Sequence, residues 1–218
     1  MTAVGKLRIG VLASGGGTDA QAIIDACEAG LIEGDVAVVV SNNSKAGVLE
    51  RARRHGVPAH HLSSYDYPDD ADLDRAFAEL LRGCDVNLVA LAGYMKKRGA
   101  AFIAAFPNRI VNIHPALLPG PHGGVGKYGL HVHESVLAAG DEVTGVSIHL
   151  VDEEYDHGPV VARREVPVLP DDTPASLQKR VLAVEHEFYP AVLAAVERGE
   201  VDLDAIAAGE RPAHIDGA

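Results

Sequence analysis

Short apolar runs recur along the first half of the chain, and each is followed by a stretch with helical spacing. Leu7 to Ala13 (LRIGVLA), Val36 to Ser41 (VAVVVS), Ala59 to Leu62, Val86 to Ala92 (VNLVALA) and the run after Arg109 that ends in Asn112 and His114 read as buried strands. Between them, Ser14 to Ala26 opens an amphipathic helix with Ala20, Ile23, Ile24 and Cys27 on one side, and SNNSKAGVLERARRHG gives a helix ending at Gly56. Further helices run through Arg82 and Phe106. This alternation over residues 7–114 predicts α/β architecture: a Rossmann-like, mostly parallel open sheet with right-handed crossovers and helices on both faces. HVHESVLAAG then predicts a helix stopped by Gly140. Val143 to Val151 sets Val146, Ile148 and Leu150 against Ser147, His149 and Val151, and Val160 to Val168 gives another strand. Pro174 to Arg198 predicts a long helix, with Pro174 in its first turn and Pro190 interrupting it. From Asp202 the tail predicts irregular chain or a small hairpin.

At 218 residues this is one ordinary domain, long enough to bury a full core. Hydrophobic residues at 47% against charged residues at 23% exclude a disordered chain. No apolar run approaches the ~18 residues of a spanning helix, and the N-terminus lacks a signal-peptide pattern, so the expected location is the cytoplasm, with no membrane partner. Cys27 and Cys84 read as reduced thiols. A net charge of −12 disfavours nucleic acid as a partner while leaving room for a phosphate site built from backbone N–H groups. A homodimer is compatible with the sequence, which carries no signal of oligomeric state.

Chemistry concentrates in four places. Three glycines before a helix, SGGGTDAQAIIDA, put bare N–H groups at a helix N-terminus, where an anion would sit; a dinucleotide loop lacks the GxGxxG spacing, and a capped turn is the plain alternative. Lys96, Lys97 and Arg98 form a basic cluster at a strand tip, either an anion contact or a solvated helix start. RIVNIHPALLP sets Asn112 and His114 two apart at a strand end, so both side chains leave one face. HLVDEEYDHGP supplies Asp156. Asn112 as N–H donor, His114 as proton carrier and Asp156 as orienting carboxylate make an acyl-transfer set. No GxSxG elbow or Cys–His pair supplies a nucleophile, so direct transfer between two bound substrates follows. A carboxylate beside His114 is expected to raise its pKa and favour the imidazolium. Between the two segments, Gly120 to Gly129 (GPHGGVGKYG) holds five glycines and reads as a mobile loop, either a gate or a linker. The acidic stretch SSYDYPDDADLD has no calcium-loop spacing. His122, His131, His133, His149 and His157 lack a Cys partner or HExxH spacing, so no metal is expected.

SGGGTDAQAIIDA, NIHPALLP, DEEYDHGP and EHEFYP, in that order, resemble the phosphoribosylglycinamide formyltransferase family, from about Leu7 to Pro190. The resemblance implies transfer of a formyl group from 10-formyltetrahydrofolate, as co-substrate, to the amine of glycinamide ribonucleotide, in purine biosynthesis. It implies Asn112, His114 and Asp156 as the catalytic set, with His131 and His149 supporting them from behind. Gly16, Gly17, Thr18, Asp19 and Glu185 would hold the ribonucleotide, phosphate at the glycines and ribose hydroxyls at Glu185. Met95, Lys96, Lys97, Arg98, Asn112, Asp152, Glu153 and Asp156 would hold the folate. The domain, 1–218, would then divide into a phosphate-binding half (about 1–106), a folate and catalytic half (about 107–200) and a short tail (201–218). The glycine loop is longer than in the shortest members. Where some relatives place an Arg toward the folate glutamate tail, this chain has SYDYPDDAD, and Lys96, Lys97 or Arg98 would have to substitute. Two other functions compete: formyltetrahydrofolate hydrolysis, and a non-catalytic nucleotide-binding domain. The related methionyl-tRNA enzyme needs a further nucleic-acid domain, for which 218 residues at −12 leave no room.

Overall fold

The computed structural model describes residues 5–215; the outermost residues of the expected domain, 1–4 and 216–218, lie outside them. A single seven-stranded sheet runs in the order β3-β2-β1-β4-β5-β6-β7. Its strands are β1 (Arg8–Leu12), β2 (Asp35–Ser41), β3 (Ala59–His61), β4 (Leu88–Leu91), β5 (Ile110–His114), β6 (Val143–Leu150) and β7 (Val160–Pro167). β1 to β5 pair in parallel, as the alternating pattern predicts, while β6 and β7 add antiparallel.

Helices cover both faces. On one, α1 (Thr18–Glu28), α2 (Gly47–Arg54), α5 (Leu130–Ala139) and α6 (Pro174–Glu197) bury Ile23, Val48, Val136, Leu177 and Phe188 against the sheet. On the other, α3 (Asp70–Gly83) and α4 (Ala100–Ala105) bury Leu73, Phe77, Leu81 and Phe102. Because the chain starts at β1, moves outward to β3 and then crosses back to β4, the switch point lies between β1 and β4. The crevice at the carboxyl ends of those two strands is where an open α/β sheet takes its ligands. Hydrogen bonds knit the two tips: Ser14 N–H donates to the Gly93 carbonyl at 3.1 Å, and Met95 N–H donates to Ser14 Oγ at 2.8 Å.

Three expectations are corrected. Pro190 does not interrupt the long helix: α6 runs unbroken to Glu197 from a capping box in which Thr173 and Ser176 satisfy each other's backbone. An internal proline costs roughly 3 kcal/mol in an isolated helix. Here Phe188, Tyr189, Pro190 and Ala191 are all buried, and Tyr189 Oη reaches the Leu91 carbonyl at 3.2 Å and the Val111 carbonyl at 3.1 Å, so packing holds the helix. The tail is not a hairpin. It forms α7 (Leu203–Ala207), capped by Asp202 and buried through Leu203 and Ile206, before Ala213 pairs beside Ala162. The alternation in β6 does not separate a wet face from a dry one: Thr144 to Leu150 are all buried, because the strand is interior and covered on both sides.

At its far end α6 is tied to the sheet by Glu197, a buried carboxylate that accepts Leu7 N–H at 2.8 Å and Glu33 N–H at 2.7 Å. Glu197→Ala leaves two amides without a partner, and should lower unfolding stability by roughly 2–4 kcal/mol in urea titration. A loss under about 0.5 kcal/mol, the level of an ordinary surface change, would mean water replaces the carboxylate.

Candidate active site

A cavity of about 690 Å³ opens over the strand tips, in the size range of a site for a drug-sized ligand. Its wall takes Thr18 and Asp19 from α1, Tyr94 to Arg98 from the segment after β4, Asn112 and His114 from β5, Gly124 to Gly129 from the glycine loop, His149 from β6, Asp156 from the β6–β7 loop and Glu185 from α6.

The antiparallel register of β5 on β6 sets the centre. Asn112 lies opposite His149 and His114 opposite Ser147, so Asn112, His114 and His149 share one face. Asn112 Nδ2 lies 3.0 Å from His149 Nε2 and 3.4 Å from Asp156 Oδ1. His149 Nδ1 lies 2.8 Å from the Leu150 carbonyl, which can only accept, so the proton sits on Nδ1 and Nε2 accepts from Asn112. The amide therefore has one firm hydrogen bond and one stretched one.

His114 is nearly enclosed, its side chain 4% exposed. Its Nε2 lies 2.9 Å from the His122 carbonyl, which places the proton there and leaves the Nδ1 lone pair toward Asp156 Oδ2 at 3.5 Å. Burial is the largest influence on the imidazole and lowers its pKa. Asp156 and the His122 carbonyl push the other way without prevailing, and the nearby His149 and His122 rings add to the lowering. The expectation of a resting imidazolium is thus corrected: desolvation outweighs the carboxylate.

Asp156 sits at φ +53, a left-handed conformation that Asp tolerates better than most side chains, and Gly158 behind it leaves room for the Leu150 carbonyl, which a Cβ would approach to 2.0 Å. Burial pushes its carboxyl up. The His149 and His114 rings beside it and Gly124 N–H, donating at 2.9 Å, together outweigh that and hold it below the ordinary carboxylate range.

Following β1, Gly17 heads α1 at φ +74, and a Cβ there would lie 2.4 Å from Val48, so this position requires glycine; Gly15 and Gly16 have open space above them. No side chain caps the helix, so its first-turn amides face outward. Arg51, from α2, braces the loop from outside through the Gly16 carbonyl at 2.8 Å and Gln21 Oε1 at 3.2 Å. Glu185 is buried, and the half-buried Asp19 stands close enough to act on its charge. Desolvation raises Asp19, which His186, at 3.6 Å, partly opposes; desolvation and then the Asp19 charge raise Glu185 well above the usual range.

Other expected residues fall elsewhere. Gly16, Gly17 and Glu153 are not on the cavity wall, whereas Met95, Lys96, Lys97, Asp152 and Arg98 are. Arg98 is not free to leave it: its guanidinium is buried, 3.4 Å from Asp74 Oδ1, and stacked over Phe77 and Tyr94. His131 stands on the exposed start of α5, paired to Glu134 at 2.9 Å, while its neighbour His133 is buried and lines the cavity. The HVH spacing thus points two imidazoles apart. Among the described residues, the exposed Asp25 and Glu28 of α1 and the half-buried His55 just past α2 are the three side chains with ligand atoms close enough to share an ion. Arg51, Tyr94, His122 and His133 carry no local sequence signal: each joins the site through a contact with a distant element.

A family model described as formyl transferase matches residues 7–193. The chain is 41% identical over 192 residues to the chloroplastic phosphoribosylglycinamide formyltransferase of Arabidopsis thaliana, covering 88% of this chain and 65% of that protein. It is 39% identical to phosphoribosylglycinamide formyltransferase of Escherichia coli over 97% of this chain and 94% of that one. It spans 62–65% of the length of the two plant relatives it matches. Among solved structures, glycinamide ribonucleotide transformylase 1 from Symbiobacterium toebii superposes with a TM-score of 0.85 at 42% identity, covering 96% of this chain and 94% of that one.

The electrostatics make a direct prediction. Long-range ¹H–¹⁵N spectra should show His114 as the neutral Nε2–H tautomer at pH 7, with its titration midpoint below 6.5. A midpoint above 6.5 would mean that Asp156 dominates burial.

Proposed function

The chain belongs to the formyl transferase family, and on that premise we propose that it transfers the formyl group of 10-formyltetrahydrofolate to the amine of glycinamide ribonucleotide. The observation that carries this reading is the convergence of Asn112, His114 and Asp156 on the wall of a cavity that Thr18 and Asp19, from the first turn of the uncapped α1, and Glu185 also line. The names of the relatives at 39–41% identity support the substrates.

In this reading the ribosyl phosphate takes the first-turn amides of α1 beside Gly16, Gly17 and Thr18, and Glu185 meets the ribose hydroxyls. The folate lies along Met95 to Lys97 and the backbone of Asp152 to Asp156. The amine nitrogen attacks the formyl carbon, whose oxygen becomes an oxyanion. Asn112 turns its stretched N–H, the one 3.4 Å from Asp156, to that oxygen. His114, neutral at rest, accepts the amine proton on Nδ1, and the imidazolium then faces the Asp156 carboxylate. The carbon–N10 bond breaks, and the proton passes to N10. No covalent enzyme intermediate forms; holding the two reactants together is worth roughly 7–11 kcal/mol. The proposal places the enzyme in the cytoplasm, in keeping with two free thiols.

Turnover measured with the two substrates separately and together tests the reading. Tetrahydrofolate should form only when both are present. Formate release without the ribonucleotide would make the protein a hydrolase, and no turnover at all would make it a binding domain. His114→Ala should lower kcat by roughly 10²–10⁴-fold with ribonucleotide binding little changed, and full activity would contradict the assignment. Because the neutral imidazole is the working form, the wild-type rate should rise with pH through the lowered midpoint of His114 and level off by neutrality.

The carboxyl pair gives an independent prediction. Burial and the neighbouring Asp19 raise Glu185 well above the ordinary range and so favour its protonated form, whose charge and shape Glu185→Gln copies. KM for the ribonucleotide should change less than about threefold in Glu185→Gln and rise about tenfold or more in Glu185→Ala, one lost hydrogen bond to a ligand hydroxyl. Equal losses would mean that the ionised form binds.

A further inference from the structure

The glycine loop touches the catalytic pair at two points of its backbone, and both are hydrogen bonds to the groups that move charge. The His122 carbonyl accepts His114 Nε2–H at 2.9 Å, and Gly124 N–H donates to Asp156 Oδ2 at 2.9 Å. Five glycines in ten residues give this segment little intrinsic stiffness, so something else must hold it there. What holds it is the side chain of His122 itself. The residue is 7% exposed, and both ring nitrogens are engaged: Nδ1 lies 3.0 Å from Ser135 Oγ on α5, and Nε2 lies 2.7 Å from Asp141 Oδ2 just beyond that helix. Lys127, from the same loop, reaches Ser135 Oγ at 2.8 Å.

One assignment of protons satisfies the whole chain. Asp141 accepts only, so His122 carries its proton on Nε2; Nδ1 then accepts Ser135 O–H, and Ser135 Oγ accepts Lys127 N–H. Asp141, His122 and Ser135 follow one another in the order of a charge-relay triad, but Ser135 is not on the cavity wall and its oxygen is already taken by Lys127. Nucleophilic work is therefore not its role.

We propose that His122 is a positioning residue: its ring, moored to α5 by Ser135 and Asp141, sets its own carbonyl on His114 Nε2 and so keeps His114 in the tautomer whose Nδ1 faces the reacting atoms. This rests on the proposed role of His114 as proton carrier. It assigns the loop a function besides covering substrate. A neutral imidazole has two tautomers, and a carbonyl at Nε2 selects one without adding charge, which a carboxylate in the same place would do. The mooring is also what allows a glycine-rich segment to carry a geometric constraint, since a shift of about 1 Å at a reacting group can cost 10²-fold in rate.

The test compares His122→Ala with Ser135→Ala and Asp141→Asn, reading ¹⁵N spectra of His114 alongside kcat and KM. His122→Ala should turn the single Nε2–H signature of His114 into a mixture of tautomers. It should also lower kcat by about 10–100-fold, with KM for both substrates within about threefold. Ser135→Ala and Asp141→Asn, which loosen the ring but keep His122, should fall between it and wild type, and an ordering of that kind supports the mooring even if His122→Ala does not fold. An unchanged His114 tautomer in every variant, or a loss confined to KM, would overturn the proposal. The spectra need no turnover, so failure of the formyl-transfer reading would appear separately, as wild-type protein inactive with both substrates.

Discussion

The antiparallel seating of β6 on β5 is the constraint on which the site depends. Five parallel strands build a crevice, but they supply only what lies at their own tips: the glycine bend after β1, the basic segment after β4 and the Asn–His pair on β5. Reversing the next strand brings His149 opposite Asn112, and it lets the β6–β7 loop fold back so that Asp156 comes within 3.5 Å of His114. Side chains separated by about forty residues thus become neighbours through one register. A slip of a single residue would turn His149 to the other face and leave Asn112 without its acceptor.

Burial decides what those neighbours do. His114, His149 and Asp156 pack with little exposure, and there a single carboxylate must offset the desolvation of an imidazolium. Two further imidazoles stand close by, and their sum tips His114 toward the neutral form while Asp156 keeps its charge. In the proposed reaction this leaves His114 free to take up a proton, with the Asp156 carboxylate already charged beside it, which is the condition a base needs. Local reading of NIHP and DEEYDHGP finds the partner but not the enclosure, and the partner alone gives the wrong sign for the shift.

Much of the fold was legible because the period of the hydrophobic pattern changes cleanly from strand to helix between Leu7 and His114, and both glycine and proline mark the exits there. What escaped was decided at long range. Pro190 sits mid-helix because Tyr189 anchors α6 to the carbonyls of Leu91 and Val111, and no local rule contains that contact. The tail forms α7 because Leu203 and Ile206 find cover in the core, and Arg109, some ninety-five residues earlier, pairs with Asp204 at 2.7 Å. The residues at the site divide the same way. Asn112 and His114 follow from strand period alone. That His133 rather than His131 enters the cavity depends on the phase of α5, which begins only where the glycine loop releases it at Gly129.

The basic cluster after β4 shows how one residue type takes opposite roles within three positions. Lys96 and Lys97 are exposed, available to an anionic ligand end. Arg98 turns inward, where Asp74 stands 3.4 Å away without aligning for a hydrogen bond, and the rings of Phe77 and Tyr94 take the rest of the guanidinium. Asp74 is at the same time committed to Gly99 N–H at 2.8 Å, so its second oxygen fixes the start of α4. The acidic stretch that runs into α3 therefore ends in a residue that holds one cation against the cavity wall and fixes the segment behind it. That leaves Arg98 Nη1 and Tyr94 Oη as buried polar atoms without a hydrogen-bond partner, in residues of the cavity wall. Buried donors left unpaired cost roughly 1–3 kcal/mol each, a cost that a ligand with acceptors in the right place would recover on binding.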